Sequence, residues 1–141
     1  DVSGYKLGFD LVWDTLCAKN AIDFTVTDSV YRNPALLTAV DYGTARVLAL
    51  SREELHCGKK SLPDRMSGEY FERFASIRAL MVYLMTYPGK KLSFMGNETG
   101  QFAVWDWNKS TEWFLLRYES HRRLQSFFSD INNLYIVFIS L

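Results

Sequence analysis

Three carboxylates, Glu53, Glu54 and Glu98, follow short apolar runs that read as β-strands, and they are the residues of this chain best placed to do chemistry. The first run, Arg46 to Leu50, stops at Ser51, Arg52, Glu53 and Glu54. The second, Lys90 to Met95, stops at Gly96 and leaves Glu98 at its mouth. Ligands of parallel α/β sheets sit at the carboxyl ends of the strands. Two consecutive strands that each deliver acids there outline part of an active-site rim. On that reading Glu53 and Glu98 are candidate site residues at the rim. The bland alternatives are a solvated charge after a strand for Glu53 and a loop-ordering hydrogen bond for Glu98. Glu54 reads as a structural acid paired with Arg52 or Lys59.

Trp105, Trp107 and Trp113 gather in the polar and aromatic stretch that follows Glu98. Aromatic faces suit sugar rings, whose axial C–H groups pack on the π surface. Trp105 and Trp107 are therefore candidate ligand contacts, whereas Trp113 is expected to pack the loop. His56 and His121 are isolated and have no metal-ligand spacing. His121 is expected to serve packing or capping. Neither a metal nor a cofactor is expected.

The elements that must position these residues alternate. Gly8 to Trp13 alternates apolar and polar positions, which suggests a first strand. Residues 15–32 are ambiguous. Asn33 and Pro34 make a helix start that runs to about Ala45, because Asn accepts from orphan amides and Pro suits the first turn. The strand Arg46–Leu50 follows. Residues 54–66 carry Gly58 and Pro63 and should be a surface loop. Ser67 is the expected cap of the next helix, with Glu69 in its first turn. Phe71, Phe74, Ile77, Met81 and Leu84 recur every three or four residues as a buried stripe, and Pro88–Gly89 ends the helix. The strand Lys90–Met95 leads to a long loop over residues 96–117. A last helix from about Ser120 should bury Leu124, Phe127, Phe128, Ile131, Leu134 and Tyr135. The apolar tail from Ile136 to Leu141 has two readings, a packed last turn or an altered end that would be sticky if exposed. Lys59–Lys60 and Lys90–Lys91 read as solvated surface pairs.

Strand–helix alternation argues for parallel β/α units. Three units do not close a barrel, which takes eight units and about 250 residues, and an open three-stranded parallel sheet has two unpaired edges. The expected fold is therefore α/β, a piece of a larger barrel.

Composition narrows the function classes. The chain has 141 residues, is 48% hydrophobic and 16% aromatic, and balances 16 basic against 16 acidic residues. Disorder is not expected of such a chain, and its neutrality gives no electrostatic reason to bind nucleic acid or an anionic membrane. No apolar run reaches the roughly 18 residues that span a bilayer. The chain opens on Asp1 without a charged-then-apolar leader, so no signal peptide is expected. Cys17 and Cys57 read as reduced thiols rather than a disulfide. A cytoplasmic protein is expected.

Several runs carry a more specific signal: residues 58–62, Phe71 to Leu80, Pro88 to Glu98, Gln101 with Phe102, Trp105, Trp113 to Leu116, His121 to Gln125, and Asp130 to Tyr135. Leu7 to Asp10 with Trp13, and Asp28 to Arg32, extend the pattern towards the start. Together they resemble, in order and with few gaps, the 1,4-α-glucan (glycogen) branching enzymes of the α-amylase superfamily. The runs Phe94 to Glu98 and His121 to Gln125 favour these over other members of the superfamily, such as trehalose-forming hydrolases.

The resemblance implies an eightfold β/α barrel, of which residues 1–141 are about the last three β/α units. It implies retaining chemistry, in which one carboxylate forms a glucosyl intermediate and another carboxyl acts as acid and base. The acceptor is a 6-hydroxyl of an α-glucan such as glycogen or amylose. In the family the nucleophile and the acid follow the fourth and fifth strands, so this chain is expected to begin after both and to be inactive alone, with the missing N-terminal half of the barrel as a partner. A third acid follows the seventh strand, in a Ser-His-Asp-Glu segment. Here that segment has Arg52 at the histidine position and Glu53 at the aspartate position. Glu53 is then the catalytic residue of this chain, and Arg52, Glu98, Trp105 and Trp107 are the substrate-binding ones. Glutamate is one methylene longer than aspartate, and a misplacement of ~1 Å can cost roughly 100-fold in rate. A non-catalytic glucan-binding or partner-binding module built on the same barrel piece is the alternative.

Overall fold

The computed structural model describes residues 11–14, 46–50 and 60–139. Within them lie strands β1 (Val12–Trp13), β2 (Arg46–Leu50) and β3 (Lys90–Ser93) and helices α1 (Leu62–Arg65), α2 (Tyr70–Thr86) and α3 (Glu119–Ile139). A 3₁₀ segment, Trp113–Arg117, precedes α3 inside the stretch expected to be loop. The part of the first strand before Leu11, the helix of residues 34–45, and Cys17, Cys57, His56, Glu54 and Lys59 lie outside the described residues.

The three strands form one parallel sheet in the order β1-β2-β3. Val12 and Trp13 pair with Arg46 and Val47, and Val47 to Leu50 pair with Lys90 to Ser93. One further amide extends each ladder: Asp14 N–H donates to the Val47 carbonyl (2.9 Å) and Phe94 N–H to that of Leu50 (3.0 Å). The sequence explains which strand is central. Residues 47–50 are wholly apolar, as a strand covered on both faces must be, and Leu48 and Leu50 are buried. β3 carries two lysines and a serine and is largely exposed.

The expected loop before the second helix contains a helix instead. Ser61 caps α1, its Oγ accepting from the Asp64 N–H (3.3 Å). Pro63 falls in the first turn, where no intrahelical N–H is needed, so it starts a helix rather than breaking one. Leu62, Pro63 and Met66 are buried.

α2 ends at Pro88–Gly89 as expected, but its cap is Glu69 rather than Ser67. Glu69 and Glu72 form a reciprocal capping box, in which the Glu72 carboxylate accepts the Glu69 N–H at 2.7 Å. Gly68 makes room for it: its φ is +89°, and a Cβ there would lie 2.4 Å from Glu72 Oε2. Phe74, Ile77, Leu80, Met81 and Leu84 form the buried stripe. Phe71 does not join it and is 75% exposed. Each three-residue step turns about 60° back around the helix, so Phe71 has rotated off the face that Phe74 to Leu84 share.

α3 starts at Glu119, one residue before the expected position, and buries Leu124, Phe128 and Ile131. Phe127 is half-buried against the core and Tyr135 half-buried. Leu134 is exposed rather than buried, because it stands three residues past Ile131 and drifts off the stripe that Tyr135 continues. The helix carries the apolar tail as far as Ile139, with Ile136, Val137 and Phe138 all exposed. Of the two readings of the tail, the packed last turn does not hold for these three residues.

One core joins the elements. Leu50 of β2, Leu62 and Met66 around α1, the α2 stripe, and Leu124, Phe128 and Ile131 of α3 form a continuous buried cluster. Lys91 is not a solvated partner of Lys90: its ammonium donates to the Tyr87 carbonyl and lies 5.7 Å from the centre of the Tyr135 ring. The Tyr135 hydroxyl donates to the Gly89 carbonyl (3.3 Å), which holds the far end of α3 to the α2–β3 turn.

Candidate functional site at the mouth of the sheet

Because β2 and β3 run in the same direction with Leu50 level with Ser93, both carboxyl ends open on one side. Arg52 and Glu53 follow β2 at that side in sequence and lie outside the described residues. The site described here is therefore built from β3, the turn after it, and the start of α1.

The turn is heavily cross-braced. Gly96, with φ +93°, reverses the chain, and its carbonyl accepts from the Thr99 N–H (3.3 Å), the Thr99 hydroxyl (2.9 Å) and the Gln101 N–H (3.4 Å). Asn97 N–H donates to the Phe94 carbonyl (3.2 Å), and Gly100 N–H to that of Asn97 (3.1 Å). The Asn97 amide donates to the Ser93 hydroxyl (3.3 Å). Asn97, Thr99 and Gly100 are buried. A turn buried to this degree must satisfy its backbone groups internally, and the short side chains Asn97 and Thr99 are the ones that reach back.

Glu98 sits in this turn, half-buried, and its Oε2 accepts the Gly96 N–H (3.0 Å). The loop-ordering role weighed for Glu98 is thus present in the geometry. One oxygen in that bond leaves the second carboxylate oxygen with its own acceptor capacity.

Beside the turn lies a shallow hollow open to solvent. Lys60, Ser61, Phe94, Asn97, Gln101 and Trp105 are among the residues that line it. Trp105 is half-buried and meets Phe94 edge to face, with ring centres 5.4 Å apart. Trp107 is 81% exposed and is not part of the hollow. It stands on a tight turn where Asp106 accepts the Asn108 N–H (3.0 Å). That backbone hydrogen bond holds the Asp106 carboxyl below the usual carboxylate range, with Lys109 adding to it. Trp113, expected to pack the loop, is more than half exposed on the 3₁₀ segment. The structure therefore places Trp105 in the wall of the hollow and Glu98 in the adjoining turn but outside the hollow's lining, and it leaves Trp107 and Trp113 on the surface.

Gln101, Asn97, Phe94 and Lys60 belong to the hollow although residue type alone did not single them out. The signal was a spacing: Gly96 and Gly100 bracket the turn, and Gln101 lies directly beyond. Gln101 Nε2 donates to the Ala103 carbonyl (3.2 Å), whereas its Oε1 is buried with no partner among the described residues. No group of His, Cys, Asp and Glu among the described residues could hold a metal ion, and no described helix is long and apolar enough to cross a membrane.

His121 behaves as its sequence position suggested. Its ring is buried, and Nδ1 lies 2.7 Å from the Thr99 carbonyl. A carbonyl only accepts, so Nδ1 carries the hydrogen.

Comparison with known proteins shows what the chain as a whole is similar to. The chain is similar to a segment of the 1,4-alpha-glucan branching enzymes. It is 40% identical over 134 residues to the branching enzyme GlgB of Halothermothrix orenii, a match that covers 92% of this chain and 21% of that enzyme. The GlgB of Aquifex aeolicus gives the same identity and coverage. GlgB 1 of Clostridium perfringens is 38% identical over 135 residues, covering 92% of this chain and 20% of the enzyme. The chain thus spans about one fifth of the length of the branching enzymes it matches. No family model matches it. The resemblance drawn from the runs around Phe94–Glu98 and His121–Gln125 is borne out by these relatives.

Proposed function

We propose that the chain is a working part of a 1,4-α-glucan branching enzyme and supplies one arc of its catalytic barrel. The reading makes residues 1–141 about the last three β/α units of a (β/α)8 barrel, in a cytoplasmic enzyme. The observation that carries it is the level, parallel pairing of β2 and β3, whose ends share one mouth, in a chain 40% identical to a branching enzyme. A three-stranded parallel sheet has edges that call for further strands, and the remaining four fifths of a branching enzyme would provide them.

In this reading the reaction proceeds by double displacement. A carboxylate from another barrel strand attacks the anomeric carbon and a carboxylic acid protonates the departing oxygen. The 6-hydroxyl of an acceptor chain, losing its proton to the residue that first acted as acid, then displaces the enzyme carboxylate and forms the α-1,6 branch. Glu53 is the member of the acid set that this chain contributes, holding sugar hydroxyls as the ring distorts. Arg52 donates to hydroxyls beside it as a fixed cation. Glu98 accepts from a sugar hydroxyl through the oxygen not engaged with Gly96. Trp105 offers its ring to the face of a glucose unit in the hollow, and Trp107 offers a second ring further out.

The test is turnover of amylose by the purified 141-residue chain. No branching is expected, because the nucleophile and the acid belong to other strands. Turnover that disappears in Glu53→Ala would overturn the reading. The second reading is a non-catalytic glucan-binding module, favoured by the placement of Trp105 in the wall of a hollow. Maltooligosaccharide binding without turnover, lost in Trp105→Ala and Trp107→Ala, would support it.

A further inference from the structure

We infer that His121 is a positioning residue: its Nδ1–H clamps the Thr99 carbonyl and so holds the turn that carries Glu98 at the mouth of the sheet. The part of this that concerns glucan binding rests on the function proposed above.

Thr99 is fully buried, and its carbonyl faces a helix more than twenty residues further along the chain. Its own N–H and hydroxyl are both spent on Gly96. The carbonyl is therefore the group through which α3 grips this turn. At 2.7 Å the His121 bond is the shortest of the hydrogen bonds that tie residues 96–101. Four aromatic rings neighbour the histidine. Phe74 of α2 meets it edge to face with centres 4.8 Å apart, and Phe102 does so at 6.2 Å. Tyr70 and Tyr118 lie tilted at 6.1 and 6.3 Å. A ring wedged among four others cannot swing away from the carbonyl, so the bond also fixes which nitrogen bears the hydrogen. Gly100, next to Thr99, faces Phe74 and Leu124 so closely that even a Cβ there would collide with them. The turn is seated on α2 and α3 at adjacent residues, once by contact and once by hydrogen bond.

A ring that only filled space would be replaced well by phenylalanine and poorly by asparagine. A clamp predicts the reverse order, since asparagine can place an N–H near the Nδ1 position and phenylalanine cannot. The measurement is amide hydrogen exchange at Asn97, Thr99, Gly100 and Gln101 in the 141-residue chain, each normalised to the amides of Leu124 to Ile131. In His121→Phe the turn amides are expected to exchange about tenfold faster or more relative to the helix, as for a buried carbonyl left unpaired. In His121→Asn they should stay within about threefold of wild type. Phenylalanine protecting the turn better than asparagine, or equal acceleration in turn and helix, overturns the inference. The wild-type chain gives an independent reading that needs no variant to fold. The ring nitrogen spectrum of His121 is expected to show hydrogen on Nδ1, and a bare Nδ1 overturns the clamp. Maltooligosaccharide affinity separates the two proposals. Affinity weakened in His121→Phe and kept in His121→Asn supports both. Wild type without affinity overturns the glucan reading, and exchange and tautomer still decide the clamp.

Discussion

Gly100→Ala tests whether the mouth turn is fixed by its seat on the two helices. Gly100 has φ +64°, and a Cβ there would lie 2.9 Å from Leu124 Cδ2 and 3.0 Å from Phe74 Cε1. Neither neighbour can give way easily: Leu124 is 0% and Phe74 1% exposed, and both are in the central cluster. The left-handed backbone costs a non-glycine residue roughly 1–2 kcal/mol. Forcing a methyl into a filled core costs about 1–3 kcal/mol more. Loss of glycine's freedom in the unfolded chain returns about 0.4–1 kcal/mol. The net expectation is a destabilisation of about 3 kcal/mol, measured as a lower urea midpoint at an unchanged slope. Gly68→Ala is the matched control, also at positive φ, but its Cβ meets the flexible carboxylate of Glu72 rather than core carbons. It should lose the capping box and little packing. A Gly100→Ala chain within about 0.5 kcal/mol of wild type, or one no worse than Gly68→Ala, would refute the account of how the turn is seated.

Two further outcomes follow from the local chemistry. Glu72→Ala removes the acceptor of the Glu69 N–H and a first-turn charge from α2, and should cost about 1 kcal/mol in urea unfolding, with Glu72→Gln recovering most of it. Equal losses in the two variants would argue against the box. Asp106 is held below its ordinary range chiefly by the Asn108 N–H. Its folded value is lower than its unfolded one, so its contribution is present above the ordinary aspartate range and fades as pH falls through the lowered value. The Asn108 amide resonance should shift over that same acidic window and lose this titration in Asp106→Asn. A shift centred above the ordinary aspartate range would contradict the sign.

Much of the fold was legible because it is written in local pattern. The apolar run Arg46–Leu50 is the central strand, residue for residue. Pro88–Gly89 stops α2, and the spacing from Phe74 to Leu84 is its buried face. The site was legible only as a neighbourhood. Glu98 and Trp105 were identified by residue type, but the carboxylate's bond to Gly96 and the edge-to-face meeting of Trp105 with Phe94 depend on how the chain turns between them. Phe71 and Leu134 were assigned to stripes by spacing and proved exposed, since a three-residue step satisfies a periodic pattern while still rotating away from the buried face. Ser67 lost the cap to Glu69 because Gly68 turns the chain just before the helix and lets Glu72 close the box.

By itself the sequence determined the succession from β2 through α2 and β3 to α3 and the likeness to branching enzymes, since each is carried by residue types at short range or in fixed succession. The tertiary structure alone decided the level pairing of Leu50 with Ser93, the seating of Gly100 on Phe74 and Leu124, and the reach of His121 to Thr99. Those contacts join residues some twenty to fifty positions apart. No local preference selects them: they form because burying one core packs distant side chains together and obliges buried backbone groups to find their partners inside the protein.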